Sequence, residues 1–335
     1  MLGAMNRAWT MASRPTGAPV PSDFQLVETE VPEPAVGQIL IETGFHSLDP
    51  YMRGRMRAGP SYAPALQVGE VMVGAAVGRV VASRSPLFAE GDFAEAHIGW
   101  QEYGVIDAGV ARKVDPDAAP ISTALGVLGM PGLTAYFGLF DVGRPRAGDT
   151  VVVTAASGAV GAVVGQLARR AGCRVVGIAG SAAKIAYVVD ELCFDGAIDY
   201  RREDVAERLH ALCPRGIDIY FDNVGGPVTD AAMDLIAVNG RAVICGQIDE
   251  YNATERAQGP RHFWTLIRQR ARVEGFLVFD YRDRHPQALA RLASWVRDGS
   301  LRYREDVVDG LENAPEAFIG LLEGKNFGKL LVKLR

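Results

Sequence analysis

The sequence is poor in the residues that build disulfide frameworks and zinc sites. It has four cysteines and five histidines in 335 residues, its first cysteine is Cys173, and no two cysteines form a Cys-x-x-Cys pair. Disulfide frameworks need closely spaced cysteines, and zinc sites need clustered cysteine and histidine ligands. We therefore expect reduced, buried thiols in a cytoplasmic protein and no catalytic metal.

The sequence also lacks an excess of positive charge and an unbroken apolar run. The net charge is −5, so no basic surface for nucleic acid or an anionic membrane is expected. Residues 118–140 carry no charged side chain, but Pro120, Pro131 and several glycines interrupt them. A membrane-spanning helix needs about 20 predominantly apolar residues, so we interpret this stretch as buried connecting helix and turn. The N-terminus has no secretory signal pattern.

What is present is a globular composition whose two parts follow different patterns. Apolar residues make up 48% of the chain and charged residues 22%, and the length favours about two domains. Up to about residue 120 the pattern predicts a compact β-rich segment without helices, with a turn at residues 48–53. Its β-rich runs cover residues 38–43, 71–82, 93–98 and 102–106.

Beyond residue 120, strand-like and helix-like runs alternate. The predicted strands cover residues 150–154, 174–178, 197–199, 218–222, 242–246 and 273–278. The predicted helices cover residues 160–171, 182–192, 204–212, 229–237, 263–269 and 286–298. Six strands with intervening helices predict an α/β fold with a doubly wound parallel sheet that binds a nucleotide.

Residues 151–161, VVVTAASGAVG, are the stretch on which the nucleotide prediction depends. They match the dinucleotide-binding pattern G-x-G-x-x-G, with Ala156 at the first glycine position. Gly158 would let the backbone approach a pyrophosphate, Gly161 would let the helix pack on the sheet, and the helix N-terminus would supply amide donors. Taken alone, the same pattern also fits a purely structural turn between a strand and a helix.

The choice of nucleotide follows from charge. In NAD-binding members of this fold, an acidic residue about 20 residues beyond the glycines binds the adenine ribose. Here the first acidic residue after Asp149 is Asp190, and Ser181 and Lys184 follow the second strand instead. A lysine beside a hydroxyl attracts a 2′-phosphate, so the sequence favours NADP(H), although Lys184 could also be an ordinary solvated helix residue.

Short motifs along the whole chain carry a family resemblance. They are LDPYMR at residues 48–53, GMPGLTAY at 129–136, AASGAVG at 155–161, YFDNVGG at 220–226, CGQI at 245–248, YN at 251–252 and NFGK at 326–329. With these motifs the chain resembles the medium-chain dehydrogenase/reductase superfamily. Within it, the chain is similar to the zinc-free NADPH-dependent alkenal/one oxidoreductases, which include the leukotriene B4 12-hydroxydehydrogenase/prostaglandin reductase group and the plant double-bond reductases.

The resemblance implies a division of the chain into two domains. A GroES-like substrate domain would cover residues 1–125 and be completed by residues 301–335, and a Rossmann NADP-binding domain would cover residues 126–300. Zinc-dependent members carry Gly-His-Glu where this chain has Val68-Gly69-Glu70. The ligand histidine is therefore missing, in agreement with the expectation of no metal.

The resemblance also implies a set of cofactor-binding residues. Gly158, Ala159, Val160 and Gly161 would hold the pyrophosphate, and Lys184 and Tyr200 the 2′-phosphate. The cofactor would also be lined by Asn223 and by residues 245–251, among them Cys245, Gly246 and Tyr251. The nicotinamide would be flanked by Phe276, Leu277, Val278 and Asn326.

The implied reaction is hydride transfer from NADPH to the β-carbon of an α,β-unsaturated ketone or aldehyde. Tyr251 would relay or donate the proton beside the cofactor, and Tyr51 would shape the substrate pocket, although either tyrosine could simply pack with a polar tip in water. The family also implies a homodimer. Two alternatives stay open: a quinone reductase of the ζ-crystallin type, and an NADPH-binding protein without catalysis.

Overall fold

The computed structural model describes residues 5–59, 61–255 and 263–335, which separate into two compact units. The first unit contains the described residues up to Gly126 together with Glu305–Arg335, and the second is Val127–Arg304. The chain therefore enters the first unit, builds the whole of the second, and returns to the first.

The strands of both units are numbered along the chain. Within the described residues they are β1 Met5–Met11, β2 Phe24–Glu30, β3 Gln38–Ser47, β4 Ala76–Ser83, β5 Phe93–Ala96, β6 Tyr103–Asp107, β7 Arg112–Val114, β8 Thr150–Thr154, β9 Arg174–Ala179, β10 Gly196–Asp199, β11 Ile217–Asp222, β12 Ile236–Ile244, β13 Arg272–Gly275, β14 Glu305–Asp309 and β15 Lys329–Lys333.

The helices are numbered in the same way. The α-helices are α1 Tyr51–Arg55, α2 Met130–Phe137, α3 Gly161–Arg170, α4 Ala182–Ala186, α5 Val205–Leu212, α6 Gly226–Asp234, α7 Phe263–Gln269, α8 His285–Arg297 and α9 Ala314–Leu322. Short 3-10 segments lie at Pro21–Asp23, Ile121–Leu125, Ile248–Glu250, Val278–Arg284 and Leu311–Asn313, and π-helical segments at Gly138–Gly143 and Tyr187–Glu191.

The first unit is a β-rich body closed by the last segment of the chain. β1 and β2 form an antiparallel pair, and a seven-stranded sheet has the order β14-β15-β3-β4-β5-β7, with β6 also paired to β3. Its core is aromatic: the Trp100 ring stacks on Phe24 at 5.9 Å and meets the edge of Phe318 at 5.5 Å. Because Phe318 belongs to α9, the C-terminal segment is part of this core.

The second unit is a parallel sheet with the strand order β10-β9-β8-β11-β12-β13. This is the order 3-2-1-4-5-6 of a doubly wound dinucleotide-binding fold. Val151, Val152 and Val153 of β8 are fully buried, as expected for a central strand with helices on both faces. The fold class predicted from the sequence is therefore confirmed.

In a fold of this kind, ligands bind outside the carboxyl ends of the strands, where the strand order reverses. Here that position lies between β8 and β11, which are neighbours in the sheet although three strands apart in number. The glycine-rich turn at residues 155–161 follows β8 directly.

Several predicted element boundaries were wrong. Residues 48–53, predicted as a turn, contain the first residues of α1. The predicted helix 182–192 continues beyond α4 as a π-helical segment. The predicted helix 229–237 starts three residues earlier, at Gly226, because Pro227 suits a first helical turn, and it ends before β12 begins at Ile236.

The last predicted strand is shorter than expected, and the apolar stretch is divided among short helical segments. The strand predicted at 273–278 ends at Gly275, since Phe276 turns away from the sheet to pack near Gly138. The apolar residues 118–140 form the 3-10 segment Ile121–Leu125, helix α2 and the start of a π-helical segment. Among the described residues, every helix is too short or too polar to cross a bilayer.

Candidate functional site

The turn after β8 is built around a glycine that cannot carry a side chain. Ala155 adopts a left-handed backbone with φ 48°, and its carbonyl accepts the Gly158 amide at 2.9 Å. A Cβ on Gly161 would lie 2.4 Å from that carbonyl oxygen, closer than any non-bonded contact allows. Gly161 is therefore required for α3 to start this close to the strand.

The N-terminus of α3 presents unused amide donors. The residue before the helix, Val160, makes no side-chain cap. The backbone amides of Ala159, Val160 and Gly161 have no hydrogen-bond acceptor in the described part of the chain. Helix N-termini carry a partial positive charge and free N–H groups, so this corner can hold a pyrophosphate.

The next two strands bring together the residues predicted for the 2′-phosphate. β9 is followed by Ser181, whose hydroxyl accepts the backbone amide of Lys184 at 3.3 Å. Tyr200 follows β10 and packs on the backbone after β9, since a Cβ on Gly180 would lie 2.6 Å from the tyrosine ring. Ser181 and Tyr200 thus flank Gly180 at the carboxyl ends of neighbouring strands.

Sequence reasoning did not identify Arg201, which belongs to the same group. Its Nε donates to the Tyr200 hydroxyl at 3.3 Å, and its guanidinium carbon lies 5.7 Å from the centre of the Tyr200 ring. Arg201 is exposed. The only sequence signal was its position directly after Tyr200, which is weak because most exposed arginines are merely solvated.

Asn223, Cys245, Gly246 and Tyr251 gather at the ends of β11 and β12. The Asn223 side-chain amide donates to the Thr154 carbonyl at 2.8 Å, which ties it to the end of β8. A Cβ on Gly246 would lie 3.2 Å from the Tyr251 hydroxyl oxygen and 3.5 Å from the Asn223 carbonyl. The predicted residues on these strand ends are therefore close neighbours.

Asp222 holds this group in place, a role that the sequence did not reveal. It is fully buried, and its carboxylate accepts the Thr229 hydroxyl at 2.7 Å and the amides of Gly225 and Val224 at 2.9 and 3.0 Å. Burial, reinforced by the Asp222 charge, raises the pKa of the Cys245 thiol to about 12. That thiol stays protonated and cannot act as a nucleophile.

Phe276, Leu277 and Val278 follow the edge strand β13. The Phe276 ring approaches the residue that follows α2, since a Cβ on Gly138 would lie 2.5 Å from its tip. Leu277 is 36% exposed and Val278 is buried. They present an apolar surface beyond the carboxyl end of β13, suited to one face of an aromatic ring.

The remaining two predicted residues, Tyr51 and Asn326, belong to the first unit. Buried Lys329 joins their segments, because its ammonium donates to the Asp49 carboxylate at 2.7 Å and to the Leu48 carbonyl at 2.8 Å. The Asn326 side chain donates to the Gly328 carbonyl at 2.9 Å. Sequence motifs contained Lys329 and Asp49 but gave no sign of this ion pair.

The Tyr51 phenol is kept in its protonated form. Burial, and then the neighbouring Asp49 charge, raise the pKa of Tyr51 well above its usual value. A phenol that does not ionise can donate a hydrogen bond, but it is a poor proton donor and cannot serve as a base.

We found no cluster of potential metal ligands among the described residues, where a cluster means three or more His, Cys, Asp or Glu side chains. One of the five histidines, His262, lies outside the described residues. So does part of the loop 250–259, on which the shape of a substrate pocket was expected to depend.

Two sequence families match the chain. They are described as the N-terminal domain of oxidoreductase, over residues 7–114, and zinc-binding dehydrogenase, over residues 159–294. Among curated proteins, the chain is 47% identical to the NADPH-dependent curcumin reductase of Escherichia coli, over 98% of this chain and 97% of the relative. It is 42% identical to prostaglandin reductase 1 of Rattus norvegicus, over 98% of each.

A solved crystal structure is also similar to this chain, both in sequence and in fold. The crystal structure of CurA from Vibrio vulnificus in complex with NADPH superposes with a TM-score of 0.94 at 47% identity, covering 98% of this chain and 99% of that one.

Proposed function

The chain belongs to the zinc-free alkenal reductase family of the medium-chain dehydrogenases/reductases, and from this premise we propose how its residues perform the reaction. It is an NADPH-dependent oxidoreductase that reduces the carbon–carbon double bond of α,β-unsaturated ketones and aldehydes. The observation that carries this conclusion is the match over 98% of the chain to a reductase that uses NADPH.

The residues of the second unit fit NADP(H). The α3 corner offers three amides to a pyrophosphate, and Gly161 lets α3 start close to the end of β8. At the carboxyl end of β9, Ser181 and Lys184 stand where an NAD-binding fold carries an acid. The Tyr200–Arg201 pair lies at the end of the neighbouring β10. We propose that Lys184, Tyr200 and Arg201 bind the 2′-phosphate.

The bound cofactor supplies a hydride to the β-carbon of the substrate. Negative charge then grows on the carbonyl oxygen, and a donor placed beforehand stabilises that charge best where water is excluded. We propose Tyr251 as this donor and as the group that relays a proton from solvent to the α-carbon of the enolate. Its hydroxyl lies beside Gly246 and accepts the Gln247 amide at 3.5 Å, which orients it near the strand ends.

We propose that Tyr51 contributes a second hydroxyl to substrate binding. Two features support this role: the phenol stays protonated, and the Lys329–Asp49 pair fixes the segment just before it. Asn326 is proposed to contact the nicotinamide on the strength of the family resemblance.

The activity is tested by following NADPH consumption with 3-nonen-2-one, in parallel with a quinone and with NADH in place of NADPH. We expect turnover of the enone with NADPH and a saturated ketone as product. With deuterium on the transferred position of the cofactor, mass spectrometry should find the label on the β-carbon. Turnover of the quinone alone, or cofactor binding without turnover, would contradict the proposed activity.

The role of Tyr251 is tested separately by Tyr251→Phe. Losing a hydrogen bond made only in the transition state should lower kcat by about tenfold or more while the KM for NADPH changes little. Tyr103→Phe, which removes a hydroxyl that donates to Glu42 in the first unit, is the matched control. An unchanged kcat would remove Tyr251 from the proton transfer.

We propose in addition that the protein forms a homodimer through the second unit. β13 is an edge strand of the parallel sheet, and Val273 on it is 48% exposed. In the neighbouring α7, Phe263, Trp264 and Ile267 are each more than 60% exposed. An apolar edge of this kind is costly to leave in water.

A reducing compartment, the cytoplasm, is the proposed location. All four cysteines are unpaired, and burial raises the pKa of Cys173 and of Cys213 to about 11. Cell fractionation followed by detection of the native protein tests this assignment.

A further inference from the structure

The second unit has a cavity that the reductase reaction does not use. It lies at the amino ends of β8, β11, β12 and β13, the opposite edge of the sheet from the cofactor residues. Its volume is about 370 Å³. We call it the arginine cavity, because its lining includes Arg144, Arg146, Arg241, Arg270 and Arg272, together with Asn239.

Charge is the first distinctive property of the arginine cavity. Five arginines against two aspartates leave a net positive charge in a chain whose net charge is −5. Asp149 already accepts Arg241 at 2.6 Å and the Arg146 amide at 3.1 Å, and Asp218 accepts the Thr150 amide at 2.8 Å. Beyond the lining, Glu274 lies 3.6 Å from Arg272.

The guanidinium groups at the centre of the lining are held in position. Arg241 also reaches the Arg144 carbonyl at 3.5 Å, and its side chain is 12% exposed. Arg272 donates to the Val142 carbonyl at 2.8 Å. Donors fixed in advance lose little freedom when they bind an anion, and the planar guanidinium suits an oxyanion with two acceptors.

The backbone of the lining is the second, independent property. Arg144 and Arg270 both have φ 51°, and Asn239 has φ 61°. They are three of the five residues other than glycine with positive φ in the described ranges. Such conformations are costly for an arginine and cluster at binding sites.

Helix ends explain only part of this pattern. Arg144 and Arg270 each follow a helical segment, and a helix C-terminus favours a cation. Glycine or asparagine would end a helix at lower cost than arginine. Asn239 lies in β12 where the pairing with β11 shifts register, and asparagine adopts this conformation more readily than arginine. What the three residues share is the cavity that they line.

We propose that the arginine cavity binds a small oxyanion with two or more negative charges, of the type found in free pyrophosphate and in the phosphates of a nucleotide. Small-molecule sites span about 300–1,000 Å³, so the volume of this cavity suits a ligand of that size. The site is separate from the cofactor residues, which lie at the other edge of the sheet.

The test is calorimetric titration of the NADP⁺-saturated protein with inorganic pyrophosphate and, in a second series, with ADP. Saturation fills the cofactor's own phosphate sites. We expect one equivalent to bind, with an affinity that falls as NaCl rises. Similar affinities for the two probes would show that the site recognises the phosphates alone. Tighter binding of ADP would show that it recognises a nucleotide.

The variant Arg144→Asn/Arg270→Asn removes two charges while keeping residues that tolerate a left-handed backbone. It should weaken binding by at least about tenfold and leave the KM for NADPH unchanged. The single variant Arg146→Gln, at an exposed position of ordinary backbone, gives the same test if the double variant is unstable.

Arg297→Asn is the control, because Arg297 is an exposed arginine of the same unit outside the cavity. It should bind pyrophosphate as the unmodified protein does. Absence of binding by both probes at millimolar concentration, or equal binding by the double variant, would overturn the proposal.

Discussion

At the scale of single residues, the proposed 2′-phosphate site could be predicted only in part, as Lys184 and Arg201 show. The absence of an acid after the second strand was visible in the sequence, because Ser181 and Lys184 stand in its place. The contribution of Arg201 was not, since it depends on the fold placing the ends of β9 and β10 side by side, where Tyr200 packs on Gly180. Local charge patterns can be read from a sequence, but neighbours in a sheet cannot.

Lys184→Ala should raise the KM for NADPH by at least about tenfold and leave the KM for NADH nearly unchanged. The reason is that the lysine charge acts on the 2′-phosphate, which NADH lacks. Steady-state kinetics with both cofactors measure the difference. Lys113→Ala, which removes an exposed lysine of the first unit, should change neither value, and an equal rise for both cofactors would refute the assignment.

The partners of the buried carboxylates Asp222 and Asp49 could not be predicted from the sequence, because they too depend on the fold. Asp222 gathers amides and a hydroxyl from the turn that follows it. Asp49 meets Lys329 from the far end of the chain. A buried charge without its partner is strongly destabilising, so each of these residues needs the other. Their positions in the sequence, 49 and 329, do not indicate that they form an ion pair.

At the scale of elements, the corner between β8 and α3 was the most predictable feature. The strand at residues 150–154 was predicted exactly, and α3 starts one residue after the predicted position. Three β-branched residues in a fully buried run favour a central strand, and Gly161 is required by contact with the Ala155 carbonyl. At this corner, the local sequence and the tertiary packing favour the same strand, turn and helix start.

The edges of the sheet were less predictable. β12 starts at Ile236 and not at residue 242, and β13 is a four-residue strand. Both departures lie at or next to the free edge, where fewer neighbours fix the register of a strand. The same free edge carries the apolar side chains on which the proposed dimer depends.

Trp264→Glu combined with Val273→Lys should convert the proposed dimer into a monomer. Charges on an apolar edge must be desolvated for the interface to form, and a lysine on an edge strand opposes pairing with a second strand. Analytical ultracentrifugation measures the mass. Val110→Lys, at a 73% exposed valine of the first unit, should leave the mass unchanged, and a monomeric unmodified protein would contradict the dimer.

At the scale of the whole molecule, the proposed site residues are distributed over both units. The second unit holds every proposed cofactor residue except Asn326, and the first unit holds Tyr51 and Asn326. The first unit also depends on both ends of the chain, because α9 and β15 complete its core and its sheet.

We expect the buried His46 in the core of the first unit to make the molecule less stable in acid. His46 is fully buried and its ring stacks on Trp100 at 5.8 Å. Burial, with the Lys329 charge as a further cause, lowers the pKa of His46 to about 3. Between that value and the unfolded pKa of about 6.5, only the unfolded chain binds the proton, so stability is present above pH 6.5 and is lost as the pH falls.

His46→Phe should therefore flatten the acid side of the stability profile. From pH 7 to pH 5, the unmodified protein should lose about 2 kcal/mol of unfolding free energy that the variant keeps, at about 1.4 kcal/mol per pH unit below 6.5. Urea unfolding followed by tryptophan fluorescence measures this difference. The control is His97→Phe, at an exposed position, and equal pH dependence of all three proteins would exclude His46 as the cause.

The sequence by itself determined the fold class, the order of the elements, the glycine corner and the preference for a 2′-phosphate. Each of these depends on residues close together along the chain, where period, turn chemistry and local charge act directly. Only the tertiary structure decided the partners of Asp222 and Lys329, the place of Arg201 and the assembly of the arginine cavity. Those features join segments far apart in the chain, and their free energy arises from contacts that exist only once both segments are packed.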